Sequence, residues 1–404
     1  MKLRWSLVLL LAAGAAAETR AIFPPGVKPV GPYSPGILAG DFLYVSGQGV
    51  RRPDGQVPAT FEEQVAQCLE NVKTIVEAAG LTMDHVVYTH VYLDNMANYD
   101  AMNRVYARYF AHDPPARATL GVYHLPTDTP VEINAVAVRE LSRKKPIVPA
   151  DLKNAAPLSP GILAGDRLYI SAQQGRDPQT GKIPDDPGEQ VHLALDRFHK
   201  VLAAAGMDYA NVVFVNPYLT GKMPAQTMNR IYAEHFEFGN TPARATIEVS
   251  SLPHDTNIEF TGVAVADLAK RRAVRPKNMK PSPTASPCVF AGDTYYCSAK
   301  SAFIPGPNLG IYSEDVETQV RMSMRNLLDG LEEAGLDLSH VVASNVYLDN
   351  LDEFGKMNGV YAKYFGAQPP TRTTVAPLPP VDRKRTEKDQ WPMVEQISII
   401  AVAP

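Results

Sequence analysis

The feature that most constrains the fold of this 404-residue chain is a repeat that divides the sequence into three parts. The tripeptide Ala-Gly-Asp follows a large apolar residue three times, with its glycine at Gly40, Gly165 and Gly292. Further along, a segment that begins with proline places one arginine in each part, at Arg117, Arg244 and Arg372. The repeat length of roughly 125 residues far exceeds the ~20 to 50 residues of a solenoid unit. Each third of the chain is therefore predicted to be a complete domain of ordinary size.

Composition places the chain among globular proteins and gives no reason to expect a polyanionic partner. Hydrophobic residues make up 45% of the chain and charged residues 20%, with a formal net charge of −4. Two basic, proline-marked segments, residues 143–146 and 271–276, separate the repeats. We interpret them as solvated linkers rather than as nucleic-acid contacts, because the overall charge is acidic.

The N-terminus has the pattern of an export signal. Lys2 and Arg4 precede an apolar run at residues 7–11, and an Ala-x-Ala cleavage site ends at Ala17. The apolar run is shorter than the ~20 residues that span a membrane. A buried N-terminal helix is the alternative. The prediction is that residues 1–17 are a signal peptide and that the mature chain is exported, to a periplasm or out of the cell, without a membrane partner.

The pattern of apolar residues in the first repeat predicts the element order β-β-α-β-α-β-β. Two short β runs flank Gly40, and a capping box at residues 60–63 begins a helix that Gly80 ends. A strand at 86–93, a second helix at about 99–110, and two further strands follow. The same order recurs in the other repeats, which predicts an α+β fold with helices on one face of each sheet.

Side chains that could bind a metal or form a nucleophilic triad show no recurring arrangement. The nine histidines lack metal-ligand spacing, and Ser46 has no recurring histidine partner. Cys288 and Cys297 flank a predicted hairpin turn and could form a disulfide in an oxidising compartment. Buried free thiols are the alternative for these two, and Cys68 falls in a helix. We expect no metal and no organic cofactor.

Several short motifs occur in the same order in each repeat, and together they resemble one known family. In the first repeat they are Gly-Pro-Tyr-Ser-Pro at 31–35, Val-Ser-Gly-Gln at 45–48, Met-Asn-Arg-Val-Tyr at 102–106, Pro-Ala-Arg-Ala-Thr at 115–119 and Val-Glu-Ile at 131–133. This series resembles the Rid/YjgF family of reactive intermediate deaminases, also called L-PSP-type proteins. The resemblance covers nearly all of each third of the chain.

The resemblance implies a fold and an assembly. The family is similar to chorismate-mutase-like α+β folds and typically forms homotrimers with small-molecule clefts between neighbouring subunits. Three tandem copies imply an intramolecular pseudo-trimer in a monomeric chain, which would bury a sheet face that one copy cannot cover alone. The expected domains are residues 22–140, 150–267 and 280–404, of which the third departs most from the motifs.

The resemblance also implies an activity, the hydrolysis of small enamines or imines to 2-oxo acids and ammonia. This reaction needs a guanidinium to bind the substrate carboxylate and a carboxyl group to direct water at the imine carbon. Arg117 and Glu132 match these positions in the first repeat, and Arg244 and Glu259 match them in the second. We expect these four residues to be catalytic, as the pairs Arg117/Glu132 and Arg244/Glu259. The alternative is that residues from two neighbouring repeats combine in one cleft.

The other positions that match the family's cleft are expected to bind substrate. They are Tyr33, Ser46, Gly47, Asn103, Thr119, Ser171, Asn229, Thr246, Asn358 and Arg372. The second repeat has Leu158 in place of the tyrosine and Ala172 in place of the glycine.

The third repeat has lost more of these groups. Ala285 replaces the tyrosine and Lys300 replaces Gln48. Alignment of residues 401–403 with residues 135–137 places Ser398 at the glutamate position, and Glu395 would reach that position only with a change of strand register. The third repeat is therefore predicted to be non-catalytic.

Two functions are the main candidates for these residues, and a structural scaffold that binds partners through its surface is a third, weaker alternative. The first is hydrolytic deamination of small reactive enamine or imine intermediates, with an imine, an enamine or a 2-oxo acid as the small-molecule partner. The second is non-catalytic binding of small carboxylate metabolites by the same scaffold. The loss of the glutamate from the third repeat favours the second function.

Overall fold

The structure is a computed structural model that describes residues 19–152, 156–277, 279–305 and 309–404. Its helices are α1 (Phe61–Ala78), α2 (Tyr99–Tyr109), α3 (Pro187–Ala204), α4 (Ala225–Ala233), α5 (Val316–Glu333) and α6 (Phe354–Tyr361). The predicted signal peptide lies outside the described residues. Across the described ranges, no helix has both the length and the apolar character needed to cross a membrane.

Each repeat forms one mixed β-sheet with two helices on one face, which confirms the predicted α+β class. The strands of domain 1 are β1 (Arg20–Ile22), β2 (Gly36–Ala39), β3 (Phe42–Gln48), β4 (Val86–Leu93), β5 (Ala116–Gly121) and β6 (Val131–Val138). Those of domain 2 are β7 (Lys144–Ile147), β8 (Gly161–Ala164), β9 (Arg167–Gln174), β10 (Val212–Leu219), β11 (Ala243–Arg244), β12 (Ile247–Glu248) and β13 (Ile258–Val265). Those of domain 3 are β14 (Arg271–Val274), β15 (Cys288–Ala291), β16 (Thr294–Lys300), β17 (Val341–Leu348), β18 (Thr371–Val375) and β19 (Glu395–Val402).

The strand order explains how each arginine and each glutamate are placed. In domain 1 the order is β1-β2-β3-β6-β4-β5, so the glutamate strand β6 lies inside the sheet and the arginine strand β5 lies at its edge. β5 runs parallel to β4, as expected for strands joined by the crossover helix α2. Domains 2 and 3 repeat this order.

Each of the two segments interpreted as linkers contains a β-strand that was not predicted from the sequence. Residues 144–147 form β7 and residues 271–274 form β14, and each pairs with the first predicted strand of the following domain. Domain 1 has the corresponding strand β1. The linker interpretation was therefore wrong for these residues. Their basic and proline-marked composition is compatible with an edge strand, where one side of the backbone needs no partner.

Helix α1 forms where the sequence predicts it. The Thr60 hydroxyl accepts a hydrogen bond from the Glu63 amide at 3.3 Å, and the Glu63 carboxylate accepts one from the Thr60 amide at 3.1 Å. This is the predicted capping box. The buried face of α1 packs on the sheet through Val65, Cys68, Leu69, Val72, Ile75 and Val76. After the helix, Gly80 adopts a φ of +81°, which favours glycine and ends the helix.

The three domains close into a ring, which confirms the predicted pseudo-trimer. The arginine strands contact the next domain in turn: β5 contacts β9, β11 contacts β16, and β18 contacts β3. The faces of the sheets that do not carry helices meet in the middle and bury a shared apolar core. Equivalent tyrosines from all three domains, Tyr92, Tyr218 and Tyr347, lie in this core. A lone domain would expose this surface to water.

The structure contains both a disulfide and a buried free thiol. Cys288 and Cys297 lie opposite each other on β15 and β16 and form a disulfide in the structure. Cys68 is a buried free thiol in α1.

Candidate active-site clefts

One contact recurs at all three domain interfaces and fixes each arginine. The backbone N–H of Arg372 donates to the Ser46 hydroxyl at 2.9 Å, so the start of β18 is attached to β3. Arg117 donates in the same way to Ser171, and Arg244 to Ser298, each at 2.8 Å. Each arginine therefore lies at the border of the next domain rather than over its own sheet.

Two of these serines, Ser46 and Ser171, are predicted to bind substrate, and in the structure both hydroxyl groups donate to backbone carbonyl oxygens. The Ser46 hydroxyl proton is donated to the Ser34 carbonyl at 2.7 Å, and the Ser171 proton to the Ser159 carbonyl at 2.6 Å. A hydroxyl has one proton, so neither serine can donate to a substrate in this arrangement. Their contribution is to hold the arginine strand of the neighbouring domain.

The arginines pair with glutamates of the neighbouring domain, which gives three clefts. Cleft A contains Arg372 of domain 3 and Glu132 of domain 1. Cleft B contains Arg117 of domain 1 and Glu259 of domain 2, whose charges interact. Cleft C contains Arg244 of domain 2 and Gln396 of domain 3. The expected pairs within one repeat, Arg117 with Glu132 and Arg244 with Glu259, are therefore wrong, because each arginine strand is attached to the next sheet.

Cleft A is a small cavity of about 70 Å³ with an aromatic cover. The rings of Tyr33 and Phe354 both lie 5.4 Å from the Arg372 guanidinium carbon. Arg372 is 3% exposed, and its Nη2 is buried with no hydrogen-bond partner among the described residues. A buried guanidinium with an unused donor is ready to accept a carboxylate ligand.

The carboxyl group of cleft A lies against a glycine. A Cβ at Gly47 would be 1.9 Å from the Glu132 Oε1, so only glycine leaves room for this side chain conformation. Burial raises the pKa of Glu132 to about 8, although the nearby Arg372 guanidinium favours the ionised form. Near neutral pH the carboxyl group therefore keeps its proton in most molecules and can donate it.

Cleft B has the same charged pair with different surroundings. Arg117 is 1% exposed, and its Nη2 donates to the side-chain Oδ1 of Asn103 at 2.7 Å. The Tyr99 ring lies 5.9 Å from the guanidinium carbon and meets the His254 ring of domain 2 across the cleft, at 5.5 Å between centroids. The Nε and Nη1 of Arg117 are buried with no partner in the described part of the chain.

The carboxyl group of cleft B has a hydrogen-bond donor beside it. Burial raises the pKa of Glu259 to about 8, against the effects of the Gln174 side chain and of the Arg117 guanidinium. Gln174 Nε2 lies 3.5 Å from Glu259 Oε2. Glu259 Oε1 is buried with no partner among the described residues. Cleft B therefore also holds a carboxyl group that is protonated in most molecules near neutral pH.

Cleft C keeps the arginine but has no carboxylate. Arg244 is half-buried, and its Nη1 donates to the side-chain Oδ1 of Asn229 at 2.7 Å. The residue at the glutamate position is Gln396, which lies opposite Tyr347 as Glu132 lies opposite Tyr92. The cavity is about 290 Å³, larger than cleft A.

The assignment of Ser398 to the glutamate position is therefore wrong by two residues. Ser398 lies opposite Asn345, the place that Asn134 occupies in domain 1. Glu395 does not reach cleft C either, because it points to the helix side and accepts a hydrogen bond from Ser323 of α5. The conclusion that the third repeat lacks the glutamate stands, but its replacement is an amide.

The remaining predicted binding residues lie beside the arginines. Asn103 and Asn229 bind the arginine side chains of their own domains, and Asn358 lies near Arg372. Thr119 and Thr246 follow their arginines by two residues, and their hydroxyls are buried with no partner in the described structure. Two residues that the sequence analysis missed are Tyr99 and Phe354. The signal was available, because both lie three residues before a Met-Asn pair.

A metal site is not part of these clefts as far as the structure describes them. Within residues 19–152, 156–277, 279–305 and 309–404, no group of three or more histidine, cysteine, aspartate or glutamate side chains could hold a metal ion.

Comparison with known proteins identifies the family of the repeats. The family model described as Endoribonuclease L-PSP matches residues 25–139, 149–266 and 277–380. The chain belongs to this family, with three tandem copies. The description is the family's name and assigns no ribonuclease activity to this chain.

Individual relatives resemble one repeat each. A RutC family protein of Saccharolobus solfataricus is 45% identical over 112 residues, which cover 27% of this chain and 89% of the relative. The 2-iminobutanoate/2-iminopropanoate deaminase of Escherichia coli is 40% identical over 114 residues, with the same coverage. Among solved structures, the E. coli YjgF gene product is 36% identical and covers 30% of this chain and 99% of its own, with a TM-score of 0.29.

Proposed function

We propose that the protein hydrolyses small 2-imino acids, or their enamine tautomers, to 2-oxo acids and ammonia in clefts A and B. The observation that carries the proposal is a buried arginine in each cleft, together with a carboxyl group of the neighbouring domain whose pKa is raised to about 8. The sequence relationship to an imine deaminase supports the same reaction class.

The arginine would select and orient the substrate. In cleft A, the unpartnered Nη2 of Arg372 would bind one oxygen of the substrate carboxylate, and a second guanidinium nitrogen would bind the other. The small cavity under Tyr33 and Phe354 favours a substrate with a short side chain. In cleft B, Arg117 would act in the same way beside Tyr99.

The carboxyl group would move the protons. Glu132 or Glu259, protonated at the start, would donate its proton to the imine nitrogen, and the resulting carboxylate would accept a proton from the attacking water. Water adds to the imine carbon and gives a carbinolamine. The carboxyl group then returns its proton to the nitrogen and takes the one from the new hydroxyl, the C–N bond breaks, and ammonia and the 2-oxo acid leave.

The test measures turnover of imines generated in the assay by an amino-acid oxidase, followed by loss of the semicarbazone-trappable intermediate. We expect the Glu132→Gln, Glu259→Gln double variant to lose the activity, since the amide keeps the shape but cannot donate and accept the proton in turn. Arg244→Ala is the matched control and should keep the activity, because cleft C has no glutamate. Full turnover in the double variant would exclude the proposal.

A second candidate is non-catalytic binding of carboxylate metabolites, which Gln396 in cleft C favours. Calorimetry with 2-oxobutanoate separates the two. Binding that survives Glu132→Gln, in a parent protein without deaminase activity, would support the binding function. In either case we propose that the chain works as a monomer, because all three clefts are formed within one polypeptide.

A further inference from the structure

Cleft C has neither of the two aromatic groups that cover the arginine of cleft A, whereas cleft B keeps one of them, Tyr99. Ala285 stands where domain 1 has Tyr33, and Ala225 begins α4 where Tyr99 begins α2 and Phe354 begins α6. The ring that remains near Arg244 is Tyr232, at 5.1 Å from the guanidinium carbon. Two alanines in place of two rings explain why cleft C is open and Arg244 is half-buried.

The charge of cleft C also differs. Among the described residues, its lining includes three basic side chains, Arg244, Lys280 and Lys300, and no aspartate or glutamate. Asp329 on α5 interacts with Lys300 but is not part of the lining. The lining of cleft A, in contrast, has Arg372 as its one basic residue among the described residues. An excess of positive charge in a partly enclosed cleft attracts an anion with more than one negative charge.

The polar groups of cleft C suit binding but not hydrolysis. Gln396 has the position of the proton-transferring glutamate, and an amide cannot act as a general acid or base near neutral pH. Ser282 and Thr246 add hydroxyl groups to the lining. The cleft has about 290 Å³ of space, against about 70 Å³ in cleft A, so it admits a longer ligand.

We propose that cleft C is a non-hydrolytic binding site for a small dicarboxylate. Arg244 binds one carboxylate, and Lys280 at the open side attracts the second. The inference rests on the proposed function only in taking the arginine as the carboxylate-binding group. Cleft C, between domains 2 and 3, would therefore bind dicarboxylates. Clefts A and B are smaller or covered and would not bind them.

The experiment compares two 2-oxo acids that differ by one carboxylate. We expect 2-oxoglutarate to bind the parent protein at about one site per chain by titration calorimetry, and Arg244→Gln to weaken this binding about tenfold or more, as for the loss of a charge-assisted hydrogen bond. Lys280→Ala should weaken 2-oxoglutarate more than 2-oxobutanoate and reduce the salt dependence. Arg372→Gln is the matched control and should leave 2-oxoglutarate binding unchanged.

A second variant guards against a folding defect in Arg244→Gln. Ala285→Tyr gives cleft C the tyrosine that covers cleft A and adds bulk at an open position, so the variant should fold and exclude 2-oxoglutarate. Binding that is unchanged in both variants, or that is lost in Arg372→Gln instead, would overturn the inference. The Glu132→Gln, Glu259→Gln variant separates the two proposals, because it should lose turnover and keep 2-oxoglutarate binding. A parent protein without deaminase activity that still binds through Arg244 would leave this inference intact.

Discussion

At the scale of single residues, the two glutamates determine the expected pH dependence of turnover. Their pKa values are raised to about 8 by burial, so the proton-donating form is lost as the pH rises through 8. We expect kcat/KM to fall above about pH 8. The fall in kcat should occur at a higher pH than the fall in kcat/KM. The reason is that the carboxylate of the bound substrate offsets the arginine charge, which otherwise favours ionisation of the glutamate. A pH profile with the oxidase in excess measures both, and a kcat/KM that rises from pH 7 to 9 would contradict the assignment.

Gly47 offers a test of the position of Glu132. Gly47→Ala places a methyl group where the Glu132 Oε1 lies, so the carboxyl group must move while the fold needs little adjustment. In a Glu259→Gln background, where only cleft A is active, we expect turnover to drop about tenfold or more, since small displacements of a catalytic group have large effects. The melting temperature should change little. Ala172→Gly in cleft B is the matched control, and equal turnover with and without the Gly47 methyl would contradict the prediction.

The residues of the clefts could be predicted from the sequence better than their partners. Arg117, Glu132 and Glu259 all lie in clefts. The sequence pointed to them because a charged residue inside an otherwise apolar strand is recognisable as a site candidate. Their pairing was not predictable from spacing, since the contact between Arg117 and Ser171 joins two domains. The same contact gave Ser171 a structural role that its identity alone did not indicate.

At the scale of elements, β19 shows how strand register limits such predictions. The apolar run in residues 397–402 matches β6 at more than one offset, because side chains on one face recur every second residue. Because the alignment was wrong by two residues, it assigned the glutamate position to Ser398 instead of Gln396, although both residues lie on the same face of the strand. The register becomes visible only through the pairing with β17.

The same strand carries a buried polar pair that should lower the stability of domain 3 at high pH. Glu395 has the place of Ile258 in domain 2, and Ser323, which donates to it, has the place of Ala194. Burial raises the pKa of Glu395 to about 8 in the folded state. The folded state therefore holds this proton more tightly than the unfolded chain, and stability is lost as the pH rises from about 4.5 through 8.

We expect the Glu395→Ile, Ser323→Ala double variant, which copies domain 2, to be more stable than the parent at pH 9 by a few kcal/mol. The difference should shrink at pH 4, where the parent carboxyl group is protonated in both states. Urea unfolding at the two pH values measures it. Because Glu132 and Glu259 remain in both proteins, the comparison isolates Glu395. An equal gain at both pH values would show that packing, rather than ionisation, is responsible.

At the scale of the whole molecule, the ring distributes the arginine and the glutamate of one repeat between different clefts. The three repeats therefore contribute unequally to the clefts. Domain 3 has lost its own glutamate but provides Arg372 to cleft A, which also contains Tyr33 and Glu132 of domain 1. Domain 2 keeps both charged residues, yet they lie in different clefts. The resemblance of each repeat to a family that forms trimers implied the pseudo-trimer, but the activity of each repeat could not be predicted from its own residues.

This mixing of domains gives a prediction for pairs of substitutions. Arg372→Ala with Glu132→Gln removes two groups from cleft A and should cost no more than either change alone, because cleft B stays intact. Arg117→Ala with Glu132→Gln damages both clefts and should abolish turnover. If the clefts were formed within single repeats, the second combination would instead leave the second repeat active. Turnover of both combinations and of the three corresponding single variants, each checked for folding by its melting temperature, decides between the two arrangements.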